Sequence, residues 1–87
     1  MRSPTTARFR KALAALPEDV RQQAGTAYKQ FTNDPWHTSL RYKRVHPSQP
    51  IYSVRVAKGY RALGGRDGDV MVWFWIGSHA DYNQLTS

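Results

Sequence analysis

The run VMVWFWI, residues 70–76, is the longest apolar stretch in the chain. Most of its residues are β-branched or aromatic, and it ends at Gly77, a pattern typical of a strand buried on both faces. We therefore expect a central strand of a sheet at this position. The polar residues His79, Asp81 and Tyr82 follow directly. A rigid strand would hold them together at one rim of the sheet, where they could form a reactive site.

Composition and charge limit what the protein can be. Its 87 residues suffice for a single domain with a modest core, which we expect to span residues 1–87. Thirteen lysines and arginines against six acidic residues give a net charge of +7, and the basic residues concentrate between positions 41 and 66. Such an excess favours a polyanion or an acidic protein as the partner. The alternative is a basic protein whose charge serves only solubility.

The residue types present also exclude several kinds of site. The chain contains no cysteine, which rules out disulfides and thiolate chemistry and fits a reducing cytoplasm, where we expect the protein to reside. His37 and His46 have no acidic neighbours at ligand spacing, so we expect neither a metal nor another cofactor. No apolar run is long enough to span a membrane, and residues 12–16 make no convincing signal peptide. We therefore expect no membrane partner.

Apolar spacing predicts two helices at the start of the chain. After Thr5 or Thr6, either of which could cap the first helix, apolar side chains recur every three or four residues, at Phe9, Ala12, Leu13 and Leu16. Residues 17–19, Pro-Glu-Asp, suit the first turn of a second helix, which residues 33–35, Asn-Asp-Pro, bring to an end. The first third of the chain should therefore be a helical hairpin.

Beyond this hairpin the apolar pattern changes to a period of two. Leu40, Tyr42 and Val45 alternate with basic residues and predict a first strand. Residues 51–56 predict a second strand, followed by a hairpin loop at residues 57–59. Glycine-rich residues 64–69 should form the next turn and lead into the apolar run. The sequence thus predicts an α+β fold, with the helical hairpin packed on one face of a twisted antiparallel sheet of about four strands.

The register of the second hairpin would bring two arginines together. If Val56 pairs with Tyr60, Arg55 lies opposite Arg61 on the same face. Two neighbouring guanidinium groups repel each other, so this pairing indicates an anion bound between them more than a contribution to stability. The alternative is a two-residue turn that shifts the register and sends the arginines to opposite faces, where they would be ordinary solvated side chains.

The sheet face away from the helices would be open and basic. Its candidate residues are Arg41 or Lys43, Arg55, Arg61, His79 and Tyr82, and we interpret Arg41, Lys43 and Lys58 as RNA contacts. Two arginines can hold a phosphodiester through bidentate contacts that strengthen as charge develops on its oxygens. His79 can move a proton near neutral pH, and Tyr82 can assist it. Together they could let an RNA 2′-hydroxyl attack its neighbouring phosphate without a metal.

Each of these residues also has a purely structural interpretation. His79 could be a hydrogen-bonded residue at the strand end, and Tyr82 could cover the end of the sheet. Trp73 and Trp75 alternate onto one face, where we expect them to pack in the core instead of stacking on bases.

Six short motifs follow one another along the chain: Leu16-Pro17, Asn33-Asp34-Pro35, Ser39-Leu40-Arg41, Tyr52-Ser53-Val54-Arg55-Val56, Gly59-Tyr60-Arg61-Ala62-Leu63 and Ile76-Gly77-Ser78-His79-Ala80-Asp81-Tyr82. Their order and spacing resemble the RelE/ParE superfamily of toxins from bacterial type II toxin–antitoxin systems, and the likeness covers nearly the whole chain. The resemblance implies two helices packed on a twisted antiparallel sheet and a cognate antitoxin as partner. For the RelE-like branch it implies a metal-independent endoribonuclease that cuts mRNA in the ribosomal A site.

The resemblance also implies roles for single residues. Arg61 matches the arginine of the family's Gly-Tyr-Arg motif, which contacts the scissile phosphate, and Arg55 matches a basic position on the preceding strand. His79 lies where relatives carry a basic or histidine residue, and Tyr82 lies at the family's C-terminal tyrosine. Ser53 replaces a lysine of well-known members, which reduces one source of phosphate stabilisation. Because the chain ends soon after Tyr82, we expect no further C-terminal helix.

We therefore predict a ribosome-dependent mRNA endoribonuclease toxin that inhibits translation, in which Arg55 and Arg61 hold phosphate and His79 and Tyr82 transfer protons. Two alternatives stay open. The ParE-like branch has a similar fold and poisons DNA gyrase without cutting RNA, and fold similarity alone cannot choose between the branches. A non-catalytic RNA-binding module would need only the basic strands and exposed aromatic residues.

Overall fold

Two helices precede the sheet, as the apolar spacing predicts. In the computed structural model, which describes residues 1–86, α1 spans Ala7–Ala14 and α2 spans Glu18–Asn33. The side-chain oxygen of Thr6 accepts a hydrogen bond from the backbone N–H of Phe9 at 3.1 Å and so caps α1.

Four antiparallel strands form one sheet in the order β1-β2-β3-β4. They span Lys43–Arg44 (β1), Ile51–Ala57 (β2), Tyr60–Asp67 (β3) and Val70–Ser78 (β4). Both helices pack on one face of this sheet, where Phe31 of α2 meets the rings of Tyr42 and Trp73 edge-on at centroid distances of 5.1 Å. The predicted α+β fold is confirmed. Ser87, the last residue of the predicted domain, lies outside the described residues.

Two boundaries differ from the predictions. The first strand is only two residues long, because a 3-10 turn over Thr38–Leu40 and a left-handed backbone at Arg41, with φ of 50°, occupy the start of the predicted strand. The turn expected at residues 64–69 is also shorter, because β3 continues to Asp67 and pairs there with Val70.

The strand β4 lies at one end of the sheet order, so its prediction as a central strand was wrong. Residues 2–6, here called the N-terminal strap, cover its outer edge. The N–H of Met71 donates to the carbonyl of Arg2 at 2.8 Å, and the N–H of Trp73 donates to the carbonyl of Pro4 at 3.0 Å. The N–H of Thr6 returns a bond to the carbonyl of Trp73 at 3.0 Å. Because both edges of β4 are hydrogen-bonded, β4 resembles a central strand in this respect, which agrees with its continuous apolar sequence.

The hairpin of β2 and β3 contains the predicted arginine pair, but its turn and register differ from the prediction. Arg55 lies opposite Arg61, as predicted, but Tyr60 pairs with Ala57 and not with Val56. The turn is therefore two residues long, and Val56 forms a bulge that compensates for the shorter turn. The two guanidinium-bearing residues consequently start from the same face of the sheet.

A second irregularity separates the two tryptophans of β4. The register with β3 shifts at Phe74, which is left without a partner on β3. Because the extra residue reverses the alternation of side chains, the prediction that Trp73 and Trp75 share a face was wrong. Trp73 packs in the core against Phe31. Trp75 packs on the other side of the sheet near Tyr82, with ring centroids 6.5 Å apart.

A third helix, α3, spans His79–Thr86 and includes Tyr82, which contradicts the expectation of no further C-terminal helix. The helix contacts β3 and β4 and partly covers the face opposite α1 and α2. Within residues 1–86 no helix has the length and apolar character needed to cross a membrane.

Tyr42 should make the stability of the core depend on pH. Burial raises the pKa of its phenol above the ordinary value of 10.0, and the charge of Arg66 opposes this effect. Because the pKa is raised in the folded state, the neutral phenol stabilises the fold below pH 10, and this contribution is lost as the pH rises through the folded-state pKa. We expect Tyr42→Phe to change the free energy of unfolding by no more than about 1 kcal/mol at neutral pH. As the pH rises into the alkaline range, the free energy of unfolding should decrease less in this variant than in the wild type.

Urea unfolding at neutral and alkaline pH measures this difference. Thr26→Ala is the control, because Thr26 is exposed on α2 and carries no titratable group. Equal alkaline slopes for wild type and Tyr42→Phe would contradict the expectation.

Candidate functional site

Arg61 is the centre of a polar cluster on the face opposite α1 and α2. Its Nε donates to Nδ1 of His79 at 3.3 Å, and its Nη1 donates to Oγ of Ser53 at 3.4 Å. The guanidinium carbon lies 5.3 Å from the ring centroid of Tyr82. The rings of His79 and Tyr82 are stacked, with centroids 5.9 Å apart. The guanidinium is therefore held by two neutral acceptors and an aromatic ring, and none of these contacts neutralises its charge.

The start of α3 brings His79 and Tyr82 to Arg61. His79 is the first residue of α3, and its N–H donates to the carbonyl of Gly59 at 2.7 Å, which ties the helix to the β2–β3 turn. Oγ of Ser78 accepts the N–H of Asp81 at 3.2 Å and caps the helix. The Ser-X-X-Asp spacing at residues 78–81 is the sequence signal that indicates this helix. Tyr82 lies one turn later and is buried.

The contact with Arg61 fixes the proton position on His79. Because Nδ1 accepts a hydrogen bond, the ring in this arrangement is neutral and carries its proton on Nε2. An imidazolium would have no lone pair to offer Arg61. An anion that drew Arg61 Nε away would leave Nδ1 of His79 available as a proton acceptor.

Ser53 is a component of the cluster to which the sequence assigned no positive role. It is fully buried on β2, and its hydroxyl accepts from Arg61. A serine within an alternating strand carries no signal for such a contact, since the same pattern describes any residue of a sheet face. The structure shows that Ser53 supports the arginine at a position where a lysine would add charge.

Arg55 lies where the outer edge of β2 is unpaired, because β1 pairs only with Tyr52 and Ser53. Besides facing Arg61 across the hairpin, it borders a groove of about 330 Å³ between β2 and α2. Lys58, in the turn after β2, lines the same groove. The groove opens along the edge of β2 on the α2 side of the sheet, where these two cations border it.

The other two predicted RNA contacts lie in β1 and in the turn before it. Lys43 is exposed and pairs with Ser53, so it starts from the Arg61 face of the sheet. Arg41 is exposed in the left-handed turn before β1 and belongs to no strand. Among residues 1–86, no three histidine, aspartate or glutamate side chains cluster as metal ligands.

Comparison with known proteins agrees with this architecture. A family model described as the ParE-like toxin domain matches residues 18–84. The chain belongs to this family. As a ParE-like toxin domain it is a member of the RelE/ParE superfamily, which confirms the resemblance inferred from the motifs. No curated protein sequence matches it significantly.

Solved structures of low sequence identity share the fold of this ParE-like toxin domain. One is a chain of the RelB–RelE antitoxin–toxin complex from Methanococcus jannaschii, with 15% identity, a TM-score of 0.77, and coverage of 97% of this chain and 99% of that chain. YafQ from E. coli has 10% identity and a TM-score of 0.73, covering 94% and 98% of the two chains. The isolated E. coli RelE toxin has 16% identity and a TM-score of 0.66, covering 99% and 98%.

Proposed function

We propose that this protein is the toxin of a type II toxin–antitoxin system and that it inhibits translation by cleaving mRNA on the ribosome. The proposal rests on one observation, the meeting of Arg61, His79 and Tyr82 on the face of the sheet opposite α1 and α2. Membership of the ParE-like toxin family supports the toxin role. The net charge of +7 suits a polyanionic substrate.

In the proposed reaction, Arg61 and Arg55 hold the scissile phosphate. The phosphate draws Nε of Arg61 away from His79, whose freed Nδ1 accepts the proton of the RNA 2′-hydroxyl. The 2′ oxygen forms a bond to phosphorus while the bond to the 5′ oxygen breaks, and Tyr82 donates its hydroxyl proton to that leaving oxygen. The products are a 2′,3′-cyclic phosphate and a 5′-hydroxyl end. The guanidinium groups stabilise the charge that develops on the phosphate oxygens.

Tyr82→Phe should separate the proton-transfer role of Tyr82 from its packing. The phenylalanine ring retains the contacts with Arg61 and Trp75 but lacks the hydroxyl. We expect the cleavage rate to fall about a hundredfold with little change in thermal stability. Single-turnover cleavage on programmed ribosomes and thermal unfolding measure the two effects. If Tyr82→Phe cleaves mRNA at the wild-type rate, Tyr82 takes no part in the reaction.

Primer extension on a reporter mRNA in a purified translation system tests the proposed function. The wild-type protein is added with and without ribosomes, and cleavage is mapped against the reading frame. We expect cuts within codons that appear only when ribosomes are present. Intact mRNA in the presence of folded protein would contradict the proposal.

Inhibition of DNA gyrase is the second candidate function, and the ParE-like family match is the observation that favours it. In this case the basic residues recognise a protein or DNA and catalyse nothing. A supercoiling assay with purified gyrase distinguishes the two functions, since a gyrase poison inhibits supercoiling and leaves mRNA intact.

We also propose an antitoxin as the natural partner and the cytoplasm, where ribosomes are, as the compartment. Three of the similar structures are complexes of RelE with RelB, from Methanococcus jannaschii, Pyrococcus horikoshii and E. coli. An acidic or amphipathic segment laid across the basic face or the helical hairpin would mask the charge of this protein.

A further inference from the structure

An aromatic cleft lies beside the Arg61 cluster on the same side of the sheet. Its volume is about 440 Å³, which falls within the usual range of ligand pockets. Leu63, Phe74, Trp75 and Leu85 supply apolar wall, and Arg8 and His46 supply polar groups. Leu63 lies two residues from Arg61 on β3, about 7 Å along the strand. The cleft therefore adjoins the proposed phosphate site.

The indole of Trp75 connects the aromatic cleft to the cluster. A Cβ added at Gly77 would lie 2.7 Å from Cζ2 and 3.0 Å from Cη2 of Trp75, so the ring extends over the glycine backbone. Gly77 is the residue that pairs with Arg61 across β3 and β4. On the same side, the ring of Tyr82 lies 6.5 Å from that of Trp75. The six-membered ring of Trp75 thus lies over the residue that pairs with Arg61, and Trp75 also lines the cleft.

The polar groups of the cleft are hydrogen-bond donors. Nδ1 of His46 accepts the backbone N–H groups of Ser48 at 3.2 Å and Gln49 at 3.0 Å, so the neutral ring carries its proton on Nε2. Arg8 is exposed and has only donors. A ring surface flanked by donors and positive charge matches a nucleobase, whose edge carries acceptors and whose backbone is anionic.

We propose that the aromatic cleft binds one base of single-stranded RNA, stacked on Trp75, next to the phosphate held by Arg61. The proposal rests on the proposed function, because it takes RNA as the ligand. Positive charge and continuity with the Arg61 cluster favour RNA over an apolar protein segment. The bulge at Phe74 is essential to this arrangement, because regular alternation would have turned Trp75 into the core.

RNA binding by the full-length protein tests the cleft without ribosomes or cleavage. The probe is a single-stranded 2′-O-methyl RNA, which lacks the attacking hydroxyl, and inorganic polyphosphate is the charge-only probe. We expect Trp75→Leu to raise the Kd for RNA about tenfold and to leave the Kd for polyphosphate and the salt dependence unchanged. Trp36→Leu is the matched control, because Trp36 is 63% exposed and does not line the cleft.

Tryptophan fluorescence supplies a second readout that does not depend on the folding of Trp75→Leu. RNA should lower the emission intensity of Trp36→Leu by the same absolute amount as that of wild type, because the stacking residue Trp75 is retained. Unchanged RNA affinity in folded Trp75→Leu, an equal loss in Trp36→Leu, or absence of quenching would overturn the proposal. If wild type cleaves mRNA on ribosomes but Trp75→Leu binds RNA with unchanged affinity, the proposed base site is contradicted and the nuclease function is supported. RNA binding that depends on Trp75, without any cleavage of mRNA, would support the base site and contradict the nuclease function.

Discussion

Arg61→Ala is expected to abolish growth arrest and to lower the rate of ribosome-dependent mRNA cleavage about a hundredfold to a thousandfold. The substitution removes the guanidinium that is held by Ser53 and His79 and lies over Tyr82. The two hydrogen bonds are long, at 3.3 and 3.4 Å, and their acceptors are neutral, so their loss should lower the free energy of unfolding by no more than about 2 kcal/mol. Primer extension and thermal unfolding on the same preparations measure both effects.

Two further variants show whether the guanidinium or only its charge is required. Arg21→Ala removes the same charge from α2, where Arg21 donates to the carbonyl of Leu16 at 2.8 Å, and should retain cleavage. Arg61→Lys keeps the charge but loses the planar fork that binds phosphate through two bonds, so we expect only partial activity. Undiminished toxicity of folded Arg61→Ala would show that phosphate is not held by this residue.

Gly64→Ala is expected to produce the largest loss of stability, about 3 kcal/mol or more. A Cβ at this position would lie 2.7 Å from Cε of Met71, 2.8 Å from Cε3 of Trp73 and 2.9 Å from the carbonyl oxygen of Val72. The methionine end can move, but the indole is packed in the core and the carbonyl belongs to the neighbouring strand. For an 87-residue domain of marginal stability, about 4–13 kcal/mol in total, this loss is large. Urea unfolding measures it.

Gly65→Ala is the matched control on the adjacent residue. A Cβ there would meet nothing within 4 Å, and its backbone is not in the left-handed region. We expect its free energy of unfolding to lie within about 1 kcal/mol of wild type. Equal destabilisation by the two substitutions would indicate a general requirement for glycine in β3 instead of a steric contact at Gly64.

The sequence predicted the fold class and the helical hairpin because period and capping residues are local signals. It did not predict the path of β4. A continuous apolar run has no alternation to interrupt, so neither the bulge at Phe74 nor the different faces of Trp73 and Trp75 can be inferred from it. The same run predicts a central strand, because nothing in residues 2–6 indicates that they occupy the outer edge of β4.

The candidate site was predictable where it depended on strand register. The facing of Arg55 and Arg61 follows from alternation, and the structure confirms it although the turn and the bulge differ from the predicted loop. The cluster with His79 depends on α3, whose weakly amphipathic sequence gave only the capping signal at Ser78. The acceptor role of Ser53 depends on side-chain geometry, which a pattern of polar and apolar residues does not contain.

The N-terminal strap makes the order of synthesis matter for this fold. Residues 2–6 leave the ribosome well before residues 70–73, their hydrogen-bonding partners on β4. Until β4 is made, the strap lacks the strand that pairs with its backbone, and His79 and Tyr82, which follow β4, are not yet present. A nascent chain therefore cannot assemble the Arg61 cluster while β4 is still being translated. The molecule that we propose acts on ribosomes thus becomes complete only after the codons for β4 and α3 have been read.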